Sequence, residues 1–122
     1  MIMILVSLKV YEHICNTTTK YKDVTIIMMG DFNVTLNPVD RIARNQTKQE
    51  KICVQRIKEN NIALELTDAY REKYETGGMT WIGRGVGSRL DMIFYKKNTT
   101  IQLGNVKLVT DLPYSDHYMV TA

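Results

Sequence analysis

Two ionisable side chains near the C-terminal end of the chain could form an acid–base pair. Asp91 lies within the apolar segment at residues 89–95, where burying an unpaired carboxylate would be costly. His117 opens the last predicted strand, directly after Asp116. A carboxylate that is hydrogen bonded to an imidazole fixes its tautomer and favours its protonated form, so we predict that Asp91 pairs with His117. Adjacent strand residues point to opposite faces, which leaves Asp116 free for a cation.

A second polar group follows an apolar segment in the first half of the chain. Residues 24–33 read VTIIMMGDFN, so an apolar run stops at Gly30 and continues with Asp31 and Asn33. In a strand these two side chains project to one face and Phe32 to the other, while Gly30 allows a ligand or another backbone to approach closely. We therefore predict a buried strand that ends in a site.

Each of these residues also has a purely structural interpretation. Asp31 and Asn33 could build an Asx turn after the strand. Asp91 could sit at a sheet edge, and the Ser-Asp-His sequence at residues 115–117 could be a turn that starts a strand. The chemical interpretation therefore depends on whether the fold brings the separate segments together.

Two helices are predicted to position these strands. Residues 7–16 form a short amphipathic helix, because apolar residues recur there at helical spacing. Thr47 and Glu50 have the spacing of a capping box, in which each side chain satisfies an orphan backbone amide, so a second helix begins at Thr47. It stops at the Asn-Asn pair, residues 60–61, since asparagine tolerates the left-handed conformation. The residues that this helix buries are Cys53, Val54 and Ile57.

Further elements are predicted in the second half of the chain. Residues 79–82 and 89–95 read as strands that flank GRGVG at residues 83–87, a flexible hairpin connection. A phosphate-binding loop is a weak alternative, because a strand follows the glycines where such a loop needs a helix N-terminus. Residues 105–110 and 118–121 read as strands, with a turn at residues 112–113 between them.

Composition restricts the class of protein. With 122 residues, 44% of them hydrophobic, the chain has enough apolar material for one globular domain with a core. Cys15 and Cys53 lie far apart without CxxC spacing, which indicates free thiols in a reducing, intracellular compartment. The apolar start MIMILV is too short to span a membrane and lacks the features of a signal peptide. A net charge of +3 permits nucleic-acid binding without requiring it.

Four short motifs then occur in order: GDFN at residues 30–33, TW at 80–81, SRLDMIF at 88–94 and SDH at 115–117. Together they resemble the C-terminal half of the endonuclease/exonuclease/phosphatase superfamily, most closely the endonuclease domains of LINE-type retrotransposons. The resemblance implies a four-layer α/β sandwich of two packed sheets with helices outside. The expected fold class is α/β (α+β): half of that sandwich, with one mixed β-sheet, helices on its outer face and an inner face that lacks the second sheet.

The resemblance also implies roles for the polar residues. Asp31 would orient or deprotonate the attacking water, and Asn33 would bind the scissile phosphate or that water. Asp91 would orient His117, which would stabilise charge on the phosphoryl oxygens. These roles agree with the needs of phosphodiester hydrolysis, namely an activated water and positive charge on the non-bridging oxygens.

A metal ion and substrate contacts are implied as well. Asp116 would contribute to an Mg²⁺ site, with Mn²⁺ as a substitute. Trp81 and Arg84 would support the substrate, with core packing as the alternative for Trp81. One protein carboxylate leaves a magnesium site incomplete. Complete members of the family carry a metal-binding glutamate in an upstream half, and none of the six glutamates here occupies that place.

We therefore expect residues 1–122 to be a single truncated domain, the C-terminal half of a Mg²⁺-dependent DNA endonuclease of retrotransposon type, with low activity alone. The alternatives are a catalytically silent remnant that acts as a binding or structural module, and a phosphatase of the same superfamily. DNA is the expected substrate, and no membrane partner is expected. An exposed inner sheet face would bind the missing half or a second copy of the chain.

Overall fold

The computed structural model describes residues 2–4, 8–18, 20, 25–97, 102–111 and 115–122. These residues form short strands and three α-helices. In chain order the elements are β1 (Ile2–Ile4), α1 (Leu8–Thr18), β2 (Ile27–Asp31), β3 (Arg41–Ile42), α2 (Lys48–Ala63), β4 (Leu66–Asp68), α3 (Ala69–Lys73), β5 (Trp81–Gly83), β6 (Val86–Ser88), β7 (Asp91–Lys96), β8 (Lys107–Val109) and β9 (Met119–Thr121). A 3₁₀ turn, Pro38–Asp40, precedes β3.

The main sheet has four strands in the order β1-β2-β7-β4. The first pair is parallel, whereas β7 is antiparallel to both β2 and β4, so the sheet is mixed as predicted. The register of β2 with β7 places Asp31 directly opposite Asp91. The α+β class is therefore confirmed, and the two strands predicted to carry carboxylates are neighbours.

The two faces of the sheet belong to two apolar clusters. On one face, residues of α1 and α2 pack on alternate residues of the central strands, and the buried members include Tyr11, Val54, Met28, Met92 and Phe94. The Tyr11 hydroxyl also donates a hydrogen bond of 2.6 Å to Asn61 Oδ1 and so ties α1 to α2. The predicted outer helical layer is thus present.

The apolar side chains on the other face of the sheet are less exposed than expected. Ile93 and Tyr95 are only 4% and 5% exposed, and they pack with Ala69 of α3 and with Val106. Val120 of β9 packs against the same cluster. The expectation of exposed apolar strands on the inner face is therefore wrong at these positions, because the chain folds its own C-terminal segment over them.

Helix α2 begins and ends almost where the sequence predicts, but its cap differs. The Thr47 hydroxyl accepts the Glu50 amide at 3.1 Å, as in a capping box. The Glu50 carboxylate instead accepts hydrogen bonds from the Thr35 amide at 3.1 Å and from Arg44 at 2.8 Å. The predicted return bond to Thr47 is replaced because a charged guanidinium is a stronger partner than an amide. The helix also continues two residues beyond residue 61.

The predicted hairpin is present but shorter, and its strands are different. Strand β5 pairs with β6, and the connection consists only of Arg84 and Gly85. Their φ angles of 51° and 77° are both left-handed, as a two-residue type I′ turn requires. Residues 86–88 are therefore strand β6. The predicted strand start at residue 89 is wrong, because β7 begins at Asp91 and pairs with the main sheet.

Arg89 lies outside the strands and is buried in an ion network. Its side chain is 1% exposed, its Nε donates to Asp40 Oδ1 at 2.7 Å, and its Nη1 donates to Asp68 Oδ1 at 3.0 Å. Arg71 of α3 donates to the same Asp40 oxygen at 2.6 Å. Burial raises the pKa of Asp40, but hydrogen bonds and charge from Arg89 and Arg71 outweigh it and hold that pKa below its ordinary value. The network joins the 3₁₀ turn, α3 and the start of β7.

The remaining predictions concern the C-terminal strands and the cysteines. Strand β8 pairs with β9, which confirms both strands predicted there, each with fewer residues. The predicted turn at residues 112–113 lies outside the described residues. Neither Cys15, which is buried, nor Cys53, which is partly buried, takes part in a disulfide bond. Among the helices that the structure describes, none has the length and apolar character needed to cross a membrane.

Candidate active site

The imidazole of His117 and the carboxylate of Asp91 are in direct contact. His117 Nδ1 lies 2.7 Å from Asp91 Oδ2, and both side chains are about three-quarters shielded, with exposures of 26% and 21%. The His117 backbone amide donates to Ser115 Oγ at 3.1 Å, which holds the segment before β9. The predicted contact between Asp91 and His117 is therefore present, and it joins residues 26 positions apart in the sequence.

Asp31 is the third member of this group. One ligand atom from each of Asp31, Asp91 and His117 lies within 4.8 Å of the others. The two carboxylates stand opposite each other on antiparallel strands, an arrangement that is destabilising for like charges. A protonated imidazole beside them offsets that repulsion. The strand predicted from residues 24–33 thus does end at the same place as Asp91 and His117.

The electrostatic surroundings favour the charged form of His117. Partial burial lowers the pKa of His117, but the hydrogen bond and negative charge of Asp91, with further charge from Asp31 and Asp116, outweigh it. The net result is a pKa of His117 above its ordinary value of 6.5. A larger fraction of the imidazole is therefore cationic at neutral pH, which suits a group that is to face phosphate oxygens.

Substitution of Asp91 tests this balance in solution. We expect Asp91→Asn to lower the pKa of His117, since an amide keeps a hydrogen-bonding oxygen but removes the charge. A raised folded-state pKa stabilises the fold most below the ordinary value of 6.5, and this contribution disappears as pH rises through the folded pKa. The stability difference between wild type and Asp91→Asn should therefore shrink as pH rises across that interval.

An NMR titration of the imidazole protons in metal-free buffer with a chelator measures the pKa, and chemical denaturation at several pH values measures the stability. Asp111→Asn, at an exposed aspartate, is the matched control. A His117 pKa that is the same in wild type and Asp91→Asn would contradict the electrostatic role of Asp91.

Asn33 is near this group but its side chain is exposed. Its backbone amide donates to Asp31 Oδ1 at 2.8 Å, and its φ angle is 53°, a left-handed value that asparagine tolerates. The Asx turn weighed from the sequence is therefore present. It coexists with the site, because Asp31 still has its second oxygen and belongs to the group with Asp91 and His117.

The other predicted site residues lie around the group without joining it. Asp116 is exposed and acts on His117 through its charge. Trp81 is half-buried and forms an isolated backbone bridge with His117. Its ring lies so close to Gly83 that a Cβ at that position would be 3.1 Å from it. Arg84 is exposed at the turn of the β5–β6 hairpin. Trp81 is thus attached to the site through the backbone, and Arg84 is at the tip of an adjacent element.

The sequence did not predict that Thr80 belongs to the site. Thr80 is 1% exposed, and its hydroxyl accepts the backbone amides of Leu90 at 3.0 Å and Asp91 at 3.1 Å. The only signal for it in the sequence was its place in the TW motif beside Trp81. A small polar residue next to a tryptophan has no local feature that predicts such bonds.

The donor chemistry of the site suits a divalent cation. Asp31, Asp91 and His117 are the residues of the described part of the chain with ligand atoms close enough to share an ion. The Nδ1 atom and one Asp91 oxygen already form a hydrogen bond, so a cation would use carboxylate oxygens. Mg²⁺ prefers oxygen ligands and often takes one or two carboxylates together with water. The carboxylates present fit such an ion, held through few protein ligands.

Comparison with solved structures identifies the fold. The chain matches a 3′-5′ exonuclease, NExo, from Neisseria meningitidis with a TM-score of 0.65 and 23% sequence identity, over 91% of this chain and 48% of that one. A structure titled 3′ phosphatase NExo from Neisseria, bound to a product DNA hairpin, matches with the same values. No family model and no curated protein matches the sequence. The chain therefore spans about half the length of these structures and shares the fold of that part of them.

Proposed function

We propose that this chain is the C-terminal part of a metal-dependent hydrolase that cleaves phosphodiester bonds in DNA. The observation that carries the proposal is the convergence of Asp31, Asp91 and His117, with a 2.7 Å contact between the last two, at one end of the main sheet. The likeness in fold to an exonuclease and 3′ phosphatase supports a hydrolase of nucleic-acid phosphoesters. Fold alone does not define a reaction, so the proposal rests on the site.

In this mechanism each side chain has a distinct task. Asp31 positions the attacking water and accepts its proton, using the carboxylate oxygen that the Asn33 amide does not occupy. Protonated His117 faces the non-bridging oxygens of the scissile phosphate and stabilises the charge that develops there. Asp91 holds the imidazole through Nδ1, which leaves Nε2 to face substrate. Asn33 donates a hydrogen bond to the phosphate or to the water.

Asp116 would contribute to the site of a metal ion, Mg²⁺ or Mn²⁺ in its place, beside the carboxylates of Asp31 and Asp91. Such an ion, when bound, neutralises phosphate charge and polarises the phosphoryl group. Asp116 is exposed, and its charge reaches the His117 ring, so an ion at its carboxylate would act on the same phosphate. Completion of the coordination sphere would fall to water, substrate and residues of a further part of the protein.

DNA is the proposed substrate, and the proposed reaction is endonuclease cleavage of the retrotransposon type. Trp81, bridged to His117, and Arg84, at the exposed hairpin turn, would support the DNA beside the scissile bond. The structures with a similar fold are those of a 3′-5′ exonuclease and a 3′ phosphatase, so hydrolysis at 3′ ends is the second candidate. In either case the protein partner would be the remaining half of the domain or a second copy of this chain. It would pack against the apolar residues of the main sheet that β8 and β9 cover only in part. These include Ile27 and Met29.

A catalytically silent binding module is the alternative of another class. It is favoured by the small number of side chains that could hold an ion in the described part of the chain, namely Asp31, Asp91 and His117. The site would then bind phosphate without hydrolysing it.

Cleavage assays on closed circular DNA, on linear DNA with 3′-hydroxyl ends and on linear DNA with 3′-phosphate ends distinguish these functions. With Mg²⁺, we expect residues 1–122 alone to leave closed circular DNA intact, since an ion held by few protein ligands is bound weakly. We expect the same chain to associate with DNA in a salt-sensitive way. The chain extended by its upstream coding sequence should nick the circle, and chelation should stop it. Release of nucleotides or phosphate only from 3′ ends would favour the second candidate. Absence of hydrolysis by the extended protein on every substrate would contradict the proposed function, and strong nicking by residues 1–122 alone would contradict the need for a further part.

A further inference from the structure

Thr80 lies where three elements of the site meet. Its backbone amide donates to the Ser88 carbonyl at 3.0 Å, which continues the β5–β6 ladder by one residue. Its carbonyl accepts the Tyr118 amide at 2.6 Å, directly after His117. Its hydroxyl accepts the amides of Leu90 and Asp91. The backbone and side chain of one residue therefore bind both segments that carry the Asp91–His117 pair.

The hydroxyl contact replaces a sheet hydrogen bond at the start of β7. The Leu90 carbonyl accepts the Phe32 amide at 2.8 Å, so this end of β7 is tied to β2 on one side. On the other side, the two amides at Leu90 and Asp91 have Thr80 Oγ1 as their acceptor. Thr80 is 1% exposed, so water does not easily take the place of the hydroxyl. Loss of that oxygen would leave two donors without a partner in a shielded place, which is costly.

We propose that Thr80 is a positioning residue, which sets the distance between the Asp91 carboxylate and the His117 imidazole. It holds the Asp91 backbone through its hydroxyl and the His117–Tyr118 backbone through its carbonyl, and the Trp81 bridge to His117 extends the second contact. The two side chains can then meet at 2.7 Å without a direct strand pairing between β7 and β9 at these residues. Its consequence for catalysis rests on the proposed function, whereas its effect on the pair does not.

The chain offers matched variants for a test. Thr80→Val keeps the shape of the side chain and removes the oxygen, and Thr80→Ser keeps the oxygen. Thr35→Val removes the hydroxyl of another fully buried threonine, one that contacts Glu50 and Arg41 and not the pair. A general loss of stability would appear in both valine variants, whereas a loss of positioning would appear only in Thr80→Val.

The readouts are made on the full chain of 122 residues at one fixed pH, with a chelator. We expect the Nδ1-bound proton of His117, seen by NMR at low field, to exchange with water about tenfold faster in Thr80→Val, and the Asp91 amide likewise. Thr80→Ser and Thr35→Val should retain the wild-type resonance. In the extended protein, Thr80→Val should lower kcat with KM little changed, and serine should restore it.

Two results would overturn the proposal. One is a folded Thr80→Val variant whose His117 Nδ1 proton has the wild-type position and exchange rate. If Thr80→Val does not fold, the wild-type amides decide: rapid exchange of Asp91 and Tyr118 beside a protected Met92 would show that Thr80 does not hold them. An NMR response in Thr80→Val without any hydrolysis by the extended protein would support the positioning role and contradict only the proposed function.

Discussion

Replacing His117 or Asp31 with alanine will lower DNA cleavage by the extended protein by roughly 10²–10⁴-fold, the usual range for a positioned acid or base. The reason is geometric: the two side chains lie in one group with Asp91, with ligand atoms within 4.8 Å of one another. In the proposed mechanism, loss of His117 removes the cation that faces the phosphate, and loss of Asp31 removes the acceptor of the water proton. Because such groups act as a unit, the double variant should be little worse than either single one.

Steady-state cleavage of circular DNA with Mg²⁺ measures the effect. His13→Ala is the matched control for the imidazole, since His13 is the other of the two histidines and is exposed. Asp111→Ala serves the same purpose for Asp31. If Asp31→Ala or His117→Ala retains cleavage close to that of its control, the assignment of that residue is wrong, while the fold assignment is untouched.

Replacing Arg89 with methionine will destabilise the fold by about 3 kcal/mol, the lower end of the range for breaking a buried ion pair. Methionine has a similar length. Among the described residues it leaves the fully buried Asp40 with only Arg71 as a cationic partner. The substitution also removes the guanidinium contact to Asp68, the residue that caps the N-terminus of α3. The remaining Arg71 contact is the reason for expecting the lower end.

Urea denaturation of the two proteins measures this difference. Arg56→Met is the control, because its pair with Glu12 is 57% exposed on the arginine side and such surface pairs contribute about 0–1 kcal/mol. The pH dependence gives a second check. The lowered pKa of Asp40 stabilises the fold above the ordinary value of 3.8 and loses that effect as pH falls through the folded value, so the gap between wild type and Arg89→Met should narrow in acid. Equal destabilisation by the two arginine variants would contradict a central role for the buried network.

The Asp91–His117 pair could be predicted from the sequence, because a carboxylate within an apolar strand is costly to bury without a hydrogen-bonding or cationic partner. Asp91 is followed by four buried residues, so its side chain needs either water at a sheet end or a cation, and His117 was the available group. The alternation of β7 was equally readable, because a period of two assigns Met92 and Phe94 to one face and Ile93 to the other. These are local properties of the chain.

Interactions that depend on distant backbone atoms could not be predicted in this way. Arg89 read as the first residue of a strand, yet it is buried with Asp40, 49 positions away, since only the folded chain brings the 3₁₀ turn beside it. Glu50 had the spacing of a capping box, but Arg44 and Thr35 offered its carboxylate stronger hydrogen bonds. In both cases the charged side chain binds partners that come close to it only in the folded chain, and the sequence pattern does not predict those distances.

By itself, the sequence determined the two longer helices and several of the strands, because periodicity, glycine positions and capping residues act over a few neighbours. It also identified the polar residues Asp31, Asp91 and His117, whereas strands β1 and β3 were not predicted. Only the tertiary structure decided that β7 lies between β2 and β4, that Thr80 joins the segments of the pair, and that the C-terminal segment covers Ile93 and Tyr95. The physical reason is that strand order and buried hydrogen bonds are chosen by the free energy of the whole packed chain, in which each donor must find an acceptor and each apolar face a cover.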